Sequence, residues 1–257
     1  VMELVRGEPL GQRVLRGGPF DATAAVQIAL PLLEGLAVAH HAGIVHRDIK
    51  PENVVLSTGP AGILPKLLDF GIARVAKGED VRLTVDGGIV GTPAYMAPEQ
   101  VRGGDVDARA DVWGIAALLY EVIAGKPPFG HEDVIAVIRR VLDEPPTFPR
   151  DARGLDGKLW SILMAAMRKD PAERTPTALA FRDALAGWLE ARGISASAPP
   201  AIALPANASG PISTAARLAS TQTALPAPAP STPPRVKVDA GADTEPMALS
   251  ADPESGE

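Results

Sequence analysis

Ile44-Val-His-Arg-Asp-Ile-Lys-Pro-Glu-Asn-Val-Val-Leu56 is the stretch from which the rest of this chain is read. Within eight positions it holds His46, Arg47, Asp48, Lys50 and Asn53. A lone His-Arg-Asp would be weak evidence; seven specified polar, charged or proline positions in one short window are not. Upstream, 22–42 carries Val26, Leu30, Leu33, Ala37 and His40 at the spacing of one helix face. Asp21 suits the N-cap and Gly43 the position past the end. Pro31 removes one backbone donor inside this helix and predicts a kink. Downstream, Val54–Leu56 and Lys66–Leu68 flank a Gly- and Pro-bearing stretch and read as a small hairpin.

Further out, Asp69-Phe70-Gly71 begins 16 residues after Asn53, at the end of the second hairpin strand. Gly91-Thr92-Pro93 and Ala97-Pro98-Glu99 come next, and Asp111-Val-Trp113 opens a segment, 108–124, that is apolar nearly all round. Such a helix is buried rather than amphipathic. Gly125 ends it and Pro127-Pro128 prevent its return. Helical patterns follow at 132–142, 155–167 and 177–191, with Arg174 in a Lys-Asp-Pro-Ala-Glu-Arg-Thr stretch between the last two. Trp113, Trp160 and Trp188 are read as core.

Composition narrows the function classes. The 257 residues carry 25 Lys+Arg against 31 Asp+Glu, a formal charge of -6, which argues against a nucleic-acid binder working through bulk charge. No run of 18 apolar residues suggests a membrane span, and no basic-then-apolar leader suggests secretion. With no cysteine there is no disulfide framework, thiolate zinc site or cysteine nucleophile. Four histidines leave little for a transition-metal site. From Ile194 onward, 11 Pro and 16 Ala among 64 residues, without any Phe, Trp or Tyr, cannot bury enough surface to offset ordering entropy. Residues 193–257 are therefore expected to be a disordered, Pro/Ala-rich tail behind a globular, mainly helical 1–192.

These motifs resemble the catalytic domain of protein kinases, most closely the eukaryotic-type serine/threonine kinases of bacteria. The resemblance covers about residues 1–190 and implies a kinase-like α+β fold: a hinge and a mainly α-helical large lobe with a small β-hairpin. It implies transfer of the ATP γ-phosphate to Ser or Thr hydroxyls of proteins. On this reading Asp48 accepts the proton of the acceptor hydroxyl, and Lys50 neutralises charge on the transferring phosphate. Asn53 and Asp69 hold Mg2+, a hard cation bound through few protein oxygens. Arg47 pairs with a phosphorylated activation-segment residue, best Thr84, while the Thr92 hydroxyl engages Asp48 and Lys50. His46 packs on Phe70, and Gly71 lets the loop carrying Asp69 swing. Asp111 hydrogen-bonds the catalytic-loop backbone, and Glu99 and Arg174 form a buried ion pair. The 91–99 stretch resembles the peptide-docking segment of protein kinases, which favours protein over small-molecule substrates.

In the same pattern Val1–Leu10 resembles the hinge, with Met2 as gatekeeper, the Glu3 and Val5 backbone on the adenine edge and Val55 on the pocket floor. The glycine-rich loop, the strand lysine and its glutamate do not precede the catalytic loop, so the N-terminal β lobe is expected to be absent from the chain. Gly17-Gly18 lacks the strand–loop–strand context of a phosphate loop. Two explanations are weighed: a fragment of an ordinary kinase, favoured by Val1 and by the apolar patch a half-built pocket would expose, and a non-catalytic interaction or regulatory protein built on a kinase lobe. The location expected is cytoplasmic.

Overall fold

The computed structural model describes residues 5–59, 62–69, 93–198 and 200. Met2, Glu3, Phe70, Gly71, Thr84, Thr92 and nearly all of the Pro/Ala-rich tail lie outside them.

Three strands form an antiparallel sheet in the order β1 (Glu8–Pro9), β2 (Val54–Gly59), β3 (Gly62–Leu67). The hairpin is longer than its apolar runs suggest, because Ser57–Gly59 and Gly62–Pro65 join the ladder. Pro65 sits on β3, at the edge of the described sheet, where a residue without an N–H is tolerated. Strand β1 has no apolar alternation and was not visible in the sequence. Alternation along β2 sends Val54 and Leu56 into the lobe's core, whereas Val55, also fully buried, lies outside that cluster and faces the other way. Glu8 pairs with Leu56 and Pro9 with Val55, so Glu8 shares the core-side face. There its Oε1 takes Arg16 at 2.7 Å, and its Oε2 is buried without a hydrogen-bond partner.

Helix α1 (Leu10–Gly17) follows β1 directly and was not expected from the sequence. Helix α2 (Ala22–His41) runs through Pro31, and its N-cap Asp21 accepts from the Thr23 amide at 2.9 Å. Gly43, at φ 75°, closes the helix by donating its N–H to the His40 carbonyl at 3.0 Å. By length and hydropathy α2 could cross a bilayer, but 61% of its most apolar window is buried against the lobe, as in a core helix.

A short helix α3 (Pro98–Val101) precedes the central helix α4 (Arg109–Ala124), buried on every side and ended by Gly125 in the left-handed conformation. Around it pack α2, α6 (Gly157–Ala166) and α7 (Ala178–Glu190); α5 (Val134–Asp143) lies nearer α3. Asp133, Asp156 and Thr177 cap α5, α6 and α7, which is why these helices start one or two residues later than their apolar patterns. Trp113 and Trp188 are core, but Trp160 is only partly buried, edge-on to Phe148 at 5.2 Å. Past α7 the chain does not leave the lobe at once: Ile194 and Ala196 pack against the core and Pro200 is buried.

Candidate active site

The loop 42–53 joins α2 to a single 3-10 turn, Pro51–Asn53, which leads into β2. Its shape is set from below by one carboxylate. Asp111, 1% exposed in the first turn of α4, accepts from the His46 amide (2.8 Å, Oδ2) and the Arg47 amide (2.8 Å, Oδ1). His40 Nε2 meets the same Oδ2 at 2.7 Å. Arg47 adopts φ 66°, a left-handed conformation that disfavours any residue with a Cβ. The two amide bonds to Asp111, and the Gln100 side chain donating to the Arg47 carbonyl at 2.9 Å, hold it there.

Above this anchor the polar side chains converge. Asn53 is buried, and its Nδ2 donates to the Asp48 carbonyl (2.8 Å) and to Asp48 Oδ2 (3.0 Å). That leaves the Asn53 amide oxygen turned the other way. Lys50 Nζ lies 3.1 Å from Asp48 Oδ2 and 3.4 Å from Oδ1. Asp48 is therefore gripped from two sides, which fixes the direction of its carboxylate. The end of β3 is stitched to the same loop through Leu68, whose N–H donates to the Asn53 carbonyl at 2.8 Å. The Leu68 carbonyl takes His46 Nε2 at 3.0 Å, and the Asp48 amide donates to His46 Nδ1 at 3.3 Å. Together these contacts assign the Nε2–H tautomer to the fully buried His46. Asp69 follows at φ 55°, exposed, beside the loop.

Of the hinge residues, Val5 is half-buried at the start of the described chain, and Val55 is buried on the face of β2 away from the lobe's core. Among the described residues, the Arg47 guanidinium has one long contact, 3.5 Å to the Val106 carbonyl, and its Nε is buried without a hydrogen-bond partner. Glu99 and Arg174 form a two-armed buried pair at 2.7 and 2.9 Å. Arg174 also donates to the Arg168 and Arg109 carbonyls.

Sequence reading missed two contributors. His40 was counted as part of an apolar helix face, yet it is the third donor to Asp111. Tyr95, in the 3-10 turn Pro93–Tyr95, hydrogen-bonds Glu121 of α4. Burial pushes the Glu121 carboxyl up to about 7, the Tyr95 bond partly opposes this, and the charge of Glu52 adds to it; burial also raises the Tyr95 phenol well above its usual value.

Among the described residues, no three His, Asp or Glu side chains gather into a metal cluster. The residues expected to hold Mg2+ are instead one amide, Asn53, and one carboxylate, Asp69, which follows Leu68 at the end of β3. Two hard oxygen donors suit an octahedral cation that keeps most of its ligands from phosphate and water.

The protein kinase domain family matches residues 1–183. The chain is a member of that family. This kinase chain is 38% identical over 187 residues to a probable serine/threonine-protein kinase, PknB, of Corynebacterium glutamicum, covering 69% of the chain and 28% of that protein. It is 38% identical over 184 residues to the serine/threonine-protein kinase PknL of Mycobacterium tuberculosis, covering 70% and 44%. The kinase chain thus spans less than half the length of either relative. A crystal structure of the Rad53 kinase domain and SCD2 in complex with AMPPNP shares its fold, with a TM-score of 0.57 at 24% identity over 71% of the chain and 66% of that structure.

Proposed function

We propose that this lobe serves a serine/threonine protein kinase, transferring the γ-phosphate of ATP to Ser or Thr hydroxyls of proteins. The observation that supports the reading is the grip on Asp48: Asn53 Nδ2 and Lys50 Nζ both hold its Oδ2, which fixes that carboxylate within the loop. In this reading Asp48 orients the acceptor hydroxyl and takes its proton, and Lys50 offsets charge on the phosphate in flight. The Asn53 amide oxygen and the Asp69 carboxylate would hold Mg2+, which would supply positive charge to offset that of the phosphates. Val55, with the backbone of Glu3 and Val5, would receive adenine next to Met2. The domain is taken to end near residue 192, and a cytoplasmic location remains part of the proposal.

The test is Asp48→Asn. The amide keeps the shape and loses the proton acceptor, so in active protein carrying both walls of the nucleotide cleft, transfer to a Ser/Thr acceptor should fall by at least about 10²-fold, the usual loss on removing a general base. Unchanged turnover would remove Asp48 from this role.

A further inference from the structure

The Pro93–Tyr95 turn and α3 belong to the segment read as the peptide-docking platform, and α5 packs on both. By itself α5 is weakly held. It has ten residues, of which Val137 and Val141 are buried, while Val134 and Ile135 in its first turn are exposed. So short a helix has little stability of its own.

Its C-terminal end is gripped by Lys169. The ammonium donates to the Arg140 carbonyl at 3.0 Å, which also accepts from the Glu144 amide, and to the Val141 carbonyl at 2.6 Å, whose helical donor position falls on Pro145; both lie in the last turn, where the dipole is negative. It also lies 4.2 Å from the centre of the Phe129 ring and 4.9 Å from that of Trp113, two rings stacked at 5.7 Å. Five residues on in the same loop, Arg174 lies 5.2 Å from the Trp113 ring and holds Glu99 of α3. One loop thus takes α5 with one cation and α3 with another, and the Pro93–Tyr95 turn, which α5 packs on, leads into α3.

We propose that Lys169 is a positioning residue for protein-substrate docking: by clamping the end of α5 to the Trp113–Phe129 stack, it holds the wall against which the Pro93–Tyr95 turn is set. This rests on the kinase reading of the site. Lys169 touches no reacting atom; it acts through α5.

Hydrogen–deuterium exchange on the 257-residue chain tests the clamp without requiring activity. In Lys169→Met, amides of α5 and of residues 94–101 should exchange at least tenfold faster, while those of α2 and α4 keep wild-type rates. Lys169→Arg keeps a cation and donors, and should hold α5 within about threefold of wild type. Wild-type rates throughout, or an even rise over the whole lobe, would overturn the clamp. In phosphotransfer assays with casein as the acceptor, on active protein carrying both walls of the nucleotide cleft, Lys169→Met should raise KM for casein about tenfold, with kcat and KM for ATP unchanged. A loss in kcat at constant KM would overturn the positioning role. If wild-type protein carrying both walls of the nucleotide cleft transfers nothing, the kinase reading fails, and the exchange rates still decide the clamp.

Discussion

At the scale of single residues, the unusual group is Glu121. Its carboxyl is raised to about 7 from an ordinary 4.5, so between these values the folded protein holds a proton that the unfolded chain has lost. The sign follows: this group's contribution is fully present below about pH 4.5 and is lost as pH rises through 7, by on the order of 3 kcal/mol. Glu121→Gln keeps an oxygen for the Tyr95 hydroxyl and carries no charge. Urea unfolding from pH 5 to pH 8 should show wild type losing stability relative to the variant across that window; parallel curves would show that burial does not raise the group. Arg47 sets the second expectation at this scale. A phosphate on Thr84 adds nearly two negative charges, which a guanidinium can take in a two-armed contact, and among the described residues Arg47 has a buried Nε without a partner. Thr84→Ala should therefore lower transfer markedly in active protein. Full activity in that variant, with mass spectrometry showing Thr84 never modified in wild type, would end the assignment.

Among elements, the pairing of Glu99 in α3 with Arg174 in the loop after α6 is the most exposed to mutation. Breaking a buried pair leaves an uncompensated charge and costs about 3–5 kcal/mol, whereas replacing both partners with apolar groups costs far less. Arg174→Met alone should drop the unfolding midpoint sharply, and Glu99→Leu/Arg174→Met should recover part of the loss. Recovery stays partial because the Arg168 and Arg109 carbonyls also lose a donor. A double variant no more stable than the single one would contradict the argument. The helices were legible because caps and apolar spacing speak locally: Asp21, Gly43 and Gly125 stand where the chain enters or leaves them. Strand β1 and helix α1 were not, since two residues paired to β2 and an eight-residue helix carry too short a pattern. In the site, the loop residues Asp48, Lys50 and Asn53 were readable as a motif close in sequence, but their bonds to one another were not. The tie from His40 to Asp111 was not, because 71 residues separate them and a histidine on an apolar face looks like packing.

For the whole molecule, the described residues offer a nucleotide one wall: the face of β2 at Val55 and the loop of Asp48 and Asn53. Holding reactants in line is worth about 7–11 kcal/mol of barrier, and most of that needs both walls of a cleft. Titration calorimetry with ATP and magnesium on residues 1–257 should show weak or undetectable binding. Micromolar affinity with steady turnover would mean that one wall suffices or that a second copy supplies the other.

The long-range anchoring of the loop also bears on synthesis. His40, His46 and Arg47 reach Asp111 across 71, 65 and 64 positions. A nascent chain halted on the ribosome before α4 emerges already carries Asp48, Lys50, Asn53 and Asp69, yet lacks the carboxylate that gives their loop its form. Competence would therefore arrive in one late step, when Asp111 clears the exit tunnel. Truncations on either side of residue 111 should differ far more in the order of loop 42–53 than their few residues of added length suggest.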